Sequence, residues 1–135
     1  SFEEVVKHVE GIKKKIGIAF TVESLDRLIA GGRLNNPKAK TTLNLRPVFS
    51  LKGKICFREN ARGSRERLEA LLSAVPENAR RLIVCRCGEG TDVSEFTRLL
   101  HGRYPAVNIH QRVVGPVLSI HVGEGAFGVA YVAKE

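Results

Sequence analysis

Apolar residues recur along this chain with two periods, and the period changes several times. Phe2, Val5, Val6, Val9 and Ile12 follow the i, i+3, i+4 spacing and predict an amphipathic helix over residues 2–14. Lys13, Lys14 and Lys15 lie at its end, where cations suit the helix dipole. Residues 16–22 form a short apolar run that reads as a strand. Leu25, Leu28 and Ile29 share one face of a short helix over 24–30, with Thr21 or Ser24 as its cap and Gly31-Gly32 as its stop. A second short helix is expected over 37–44, with Pro37 in its first turn. Residues 47–51 and 54–58 read as two strands around a Lys52-Gly53 turn.

The second half repeats the alternation. Leu68, Leu71, Leu72 and Val75 supply the buried face of a helix for which Ser64 is a suitable N-cap. Arg58, Arg62, Arg65 and Arg67 cluster near its start, where the dipole disfavours cations. Both a solvated basic face and a docking surface fit that cluster. RLIVCR at 81–86 is a core strand, and 88–91 is a loop. Thr91 or Asp92 caps a helix to about Leu100 that buries Val93, Phe96, Leu99 and Leu100. Strands follow over 107–114 and 126–132. The alternation predicts an α/β fold, a mixed β-sheet with packed helices.

Composition adds limits. At 135 residues the chain suits one domain with one core. No run approaches about 18 apolar residues, so no membrane-spanning helix is expected. Twenty-two Lys and Arg against 14 Asp and Glu leave a net charge of +8. That balance admits a nucleic-acid-binding module, but aromatics are 6% of the chain and do not interleave with the basic residues as stacking platforms would. Cys56, Cys85 and Cys87 form no even disulfide set, which suits a cytoplasmic protein. Cys56 alternates onto an apolar face and is expected to be a core thiol. Cys85-x-Cys87 has no third or fourth partner at a metal-site spacing, so no metal is expected.

Catalytic signatures are absent from the sequence. There is no G-x-S-x-G elbow and no phosphate loop, and the G-x-G at Gly123 and Gly125 precedes a strand instead of following one. The densest candidate chemistry lies at residues 115–131, GPVLSIHVGEGAFGVAY. There His121 stands beside Gly123, Gly125 and Gly128, just before a core strand. Glycines so placed permit positive φ and close approach of another group to the main chain. Arg33 follows Gly31-Gly32, and its planar guanidinium suits a carboxylate. A satisfied histidine in a structural turn and a surface arginine after a helix stop fit these positions equally.

Four stretches in order resemble the DegV family. GPVLSIHVGEGAFG is similar to G-P-V/I-x-x-x-H-T-G-P-G-A-L/F-G, and SLDRLIAGGRL at 24–34 to S/T-L-x-x-L-x-x-G-G-R-I. NLRPVFSLKG at 44–53 resembles N-x-K-P-I-L-x-x-x-D-G, and Arg62 matches an arginine that opens the next helix. The chain departs from the pattern at Val122, where the family has Thr, and at Glu124, where it has Pro. The resemblance implies the second lobe of a two-lobed protein. On that reading, residues 1–135 are a DegV-type C-terminal domain whose N-terminal lobe is absent from the chain, and the lack of any methionine fits a piece of a longer protein. The resemblance also implies a carrier and not an enzyme. Such a carrier holds a long-chain fatty acid, with no cofactor, and presents its carboxylate to a fatty acid kinase for acyl phosphate formation and phospholipid synthesis. It places Arg33 and His121, flanked by Gly32 and Gly123, at the head group, and Arg62 on the kinase-facing surface. A domain that has lost its ligand is the remaining alternative, suggested by Val122 and Glu124.

Overall fold

The computed structural model describes residues 1–30, 32, 38, 39, 41, 44–52, 54–115 and 122–134. Its framework is a six-stranded sheet in the order β3-β2-β1-β6-β4-β5. In chain order the elements are α1 (Phe2–Lys13), β1 (Ile16–Thr21), α2 (Asp26–Ala30), β2 (Leu45–Lys52), β3 (Lys54–Arg62), α3 (Gly63–Ala74), β4 (Ala79–Arg86), α4 (Ser94–Arg103), β5 (Ile109–Val113) and β6 (Phe127–Ala133). Neighbouring strands pair antiparallel except β4 and β5, which are parallel. A parallel pair needs a crossover, and α4 supplies it.

The sheet register separates two apolar faces. Across β2, β1 and β6, Val48 is level with Thr21 and Phe127, and Ala19 with Val129. These side chains meet α3 and α4 in one core that includes Leu71, Val75, Leu82, Val84, Phe96 and Leu100. The Phe96 and Phe127 rings meet edge to face, 5.8 Å apart. Residues of alternate parity point the other way. There Phe20 pairs with Phe49, and Phe49 with Phe57, while Ile18 pairs with Leu51 and Leu51 with Ile55. The three phenyl rings form a row at spacings of 5.3 and 6.1 Å.

One glycine sets how closely the central strands approach. A Cβ at Gly128 would lie 2.2 Å from the Ala19 carbonyl oxygen and 2.7 Å from the Phe20 Cα. Only glycine lets β6 lie this close to β1 at that level.

The strands and helices follow the expected order, with local differences. Half of the helix expected over 37–44 falls outside the described residues, and Lys38, Ala39, Thr41 and Asn44 are not helical. Arg58 belongs to β3, which runs on to Arg62. Ser64 does not cap α3; the Glu66 carboxylate reaches back and accepts the Arg62 amide instead. Asp92 does serve the start of α4, accepting from the Ser94 amide at 2.9 Å and the Ser94 hydroxyl at 2.6 Å. The strand expected over 107–114 is shorter, Ile109–Val113.

Two single apolar positions and one apolar stripe lie outside the core. Cys56 is exposed: β3 is an outer strand, and alternation does not decide whether an element covers it. Ile29 is exposed although Leu25 and Leu28, on the same short helix, are buried. The apolar stripe of α1 is uncovered, with Phe2 83% exposed and Val5, Val6 and Val9 also exposed.

Candidate functional site

Among the described residues, the second sheet face is only partly closed. Val22, Leu25 and Leu28 fold over one end of it and form a small core with Phe49, Ala39, Cys87 and Ala126. Beyond α2 no helix covers the face among the described residues, and Ile18, Phe20, Leu51 and Ile55 remain half-buried. They line a cavity of about 360 Å³, whose wall is almost wholly apolar. That volume lies within the range of small-molecule sites, roughly 300–1,000 Å³. Register gives the cavity a direction. It runs from Val122, Ala126, Cys87 and Leu28 at one end, past the Phe20–Gly128–Cys85 level, toward Ile18, Leu51 and Lys54 at the hairpin end. Among the described lining residues, Lys54 brings the one charged side chain.

The closed end of the cavity is built by the glycine turn. Gly123 and Gly125 have φ of 82° and 87°, in the left-handed region that L side chains rarely adopt. The turn is tied to the end of β4: the Cys87 amide donates to the Ala126 carbonyl at 2.8 Å, and the Gly125 amide donates to the Cys87 carbonyl at 3.1 Å. Neighbouring side chains crowd both glycines. A Cβ at Gly123 would stand 3.2 Å from Arg27 Cδ, and one at Gly125 would stand 2.6 Å from Glu23 Cγ. The glycines are therefore required twice, by conformation and by contact.

Of the residues singled out in the sequence, Arg33 and His121 lie outside the described residues. Gly32 and Gly123 are described, and both adjoin α2. Gly32 has φ of 69° and its amide donates to the Ile29 carbonyl, ending the helix, while Gly123 is touched by Arg27 from the helix's first turn. Val122, which stands where the family pattern has Thr, lines the cavity as an apolar wall. Arg62 is exposed at the junction of β3 and α3 and does not line the cavity.

A polar network that no motif marks lies beneath the turn. Arg67 points inward from α3. Its Nε donates to Thr21 Oγ1 at 2.7 Å, and two further nitrogens donate to Glu23 Oε1 at 2.7 Å and the Val22 carbonyl at 3.3 Å. Its guanidinium also lies 5.1 Å from the Phe127 ring centre. Thr21 is wholly buried and passes its own proton to the Pro47 carbonyl at 2.9 Å. Arg46 donates to the other Glu23 oxygen at 3.0 Å. Burial pushes the Glu23 carboxyl up, but hydrogen bonds from Arg67 and Arg46 outweigh it and hold the group below its ordinary value. Glu23 thus links the wall of the turn, through Gly125, to the helix on the opposite face. The only advance signal was that Arg67 stood in a first helical turn where its charge is unfavourable.

Comparison with known proteins follows the same lines. A DegV-domain protein of Deinococcus radiodurans is 33% identical over 148 residues, covering 96% of this chain and 49% of that protein. The solved structure of a DegV-family protein of Ruminococcus gnavus, described with vaccenic acid, superposes with a TM-score of 0.82 at 28% identity, over 96% of this chain and 49% of that one. The fatty acid kinase B3 protein of Streptococcus pneumoniae, solved with linoleic acid, has the same fold, with a TM-score of 0.85 at 22% identity over 99% of this chain and 50% of that one. This chain spans about half the length of the curated relatives it matches. Residues 1–134 match the DegV family, described as uncharacterised proteins, and the chain belongs to that family.

Proposed function

We propose that this chain is part of a fatty-acid carrier, not a catalyst. It holds the tail of a long-chain fatty acid in the apolar cavity and presents the carboxylate to a fatty acid kinase for acyl phosphate formation. The observation that carries this reading is the cavity itself: an apolar trough on a sheet face that the described helices leave open, bounded at one end by Val122 and Ala126 on either side of the glycine turn. Arg33 and His121 are the proposed donors to the carboxylate. Their support is the position of described neighbours, since Gly32 ends α2 and Val122 lines the cavity. Arg62 is the proposed kinase contact, supported by its exposure outside the cavity. The chain is taken as the C-terminal lobe of a two-lobed protein. The uncovered stripe on α1 and the open sheet face both suit a further layer. Cytoplasmic residence suits its three free thiols.

The test is native mass spectrometry of the purified chain, followed by organic extraction and by titration with stearic acid. One fatty acid per chain is the expected result, with affinity reduced about tenfold or more in Arg33→Ala. A protein that carries no lipid and takes up no stearic acid rejects the reading. With a fatty acid kinase and ATP, Arg62→Ala should slow acyl phosphate formation more than it weakens fatty acid binding. Equal effects on both would remove Arg62 from the kinase surface.

A further inference from the structure

Two of the three cysteines face the acyl cavity. Cys85 lies on β4 opposite Gly128, so no side chain stands between its thiol and the trough floor on that side. Cys87 follows two residues on and points the same way, 3% exposed, with its backbone anchored to the glycine turn. The Cys85 thiol makes a long contact to the Ile83 carbonyl, 3.7 Å, and has a backbone hydrogen bond with Ala130. No polar partner is found for the Cys87 sulfur among the described residues. An inert core thiol would be packed by protein on every side, whereas these two line the wall of a cavity.

We infer that Cys85, with Cys87 beside it, is a covalent capture site for electrophilic fatty acids, those carrying an α,β-unsaturated ketone along the chain. The inference rests on the proposed acyl-binding role of the cavity. The reaction is a conjugate addition. The thiol sulfur bonds to the β-carbon, the carbon–carbon π pair moves toward the carbonyl as an enolate, and the thiol proton ends on the α-carbon. The product is a saturated ketone joined by a thioether, and nothing else is consumed.

Two features of the site favour this ligand class over water-soluble reagents. The cavity holds the chain alongside the sulfur, so addition is intramolecular in effect, and such placement replaces a bimolecular encounter. Burial pushes the Cys85 thiol up, with the Ala130 backbone partly opposing, so thiolate is scarce for every electrophile and only one held in the cavity stays beside the sulfur long enough to react. Cys56 is the internal control: it is exposed and lies on the other sheet face, outside the cavity.

The experiment treats the chain with a C18 enone fatty acid, maps adducts by peptide mass spectrometry, and repeats the reaction with excess stearic acid. Iodoacetamide serves as the small soluble reagent. The expected result is about tenfold more enone adduct on Cys85 or Cys87 than on Cys56, suppressed by stearic acid, with iodoacetamide preferring Cys56. Cys56→Ser should leave the enone yield unchanged. If stearic acid binds but the enone labels Cys56 as readily, or stearic acid gives no protection, the inference fails and the carrier reading stands. If stearic acid does not bind at all, both fall together.

Discussion

On one face of the sheet, α3 and α4 close over Ala19, Val48, Leu82, Val84 and Val129, and Phe96 and Leu100 are sealed between the layers. On the other, Phe20, Leu51 and Ile55 stay half-buried around a cavity, though they are larger than most side chains on the closed face. The difference lies in who supplies the second layer. The closed face carries small strand residues because the helices bring the large ones. The open face carries large strand residues, and among the described residues only α2 and a turn lie over it, covering one end. A sheet apolar on both faces must bury both. Among the described residues the second burial is incomplete, which is the feature the proposed carrier role uses.

The comparison breaks most visibly at Phe96. Phe96→Ala should cost about 3–5 kcal/mol of unfolding free energy in a urea titration, as expected for a buried phenyl ring. Fatty acid affinity measured on the folded fraction should change little, and a large loss would mean that the two faces are not separable. Arg67→Ala should come next. It strips the charged hydrogen bonds from buried Thr21 and from Glu23, at a cost of about 2–3 kcal/mol. Arg67→Lys should recover less than half, since an ammonium cannot reproduce the planar fork. Recovery in full would reduce the network to simple charge pairing.

Smaller changes sharpen the contrast. Leu51→Ala removes a half-buried wall of the cavity, so it should cost only about 1 kcal/mol of stability. It should lower stearic acid affinity about fivefold in the same titration. An unchanged affinity would place the acyl chain elsewhere. The smallest effect concerns pH. The folded Glu23 carboxyl sits below its ordinary value of 4.5, so its contribution is complete above that value and is lost as pH falls through the lower folded one. The urea midpoint should therefore drop more steeply on acidification in the parent chain than in Glu23→Gln. Parallel curves would show that Arg67 and Arg46 do not stabilise the charged carboxylate.

Much of the fold was legible along the chain. The apolar runs at 81–86 and 126–132 became central strands, and the spacing of Leu68, Leu71, Leu72 and Val75 became the inner face of α3. The glycine turn was legible as well, because glycines in a dense cluster before a core strand have few uses other than positive φ and close approach. The cavity was not. Its walls come from five strands and α2, and each strand reads equally well as a sealed core strand. Cys56 shows the same limit from the other side: alternation assigned it to a face, but nothing local reveals that no element covers it. Arg67 was visible only as a charge in the wrong part of a helix, and its partners are 44 to 46 residues away in sequence.

The sequence by itself determined the order of elements, the family and the positions where the backbone must turn, because these depend on periodicity, caps and glycine conformations within a few residues. Only the tertiary structure decided which apolar face stays open, which two thiols look into it and where Arg67 points. Those outcomes depend on what stands across the sheet. Side-chain alternation states which residues share a face, but it carries no information about what covers that face.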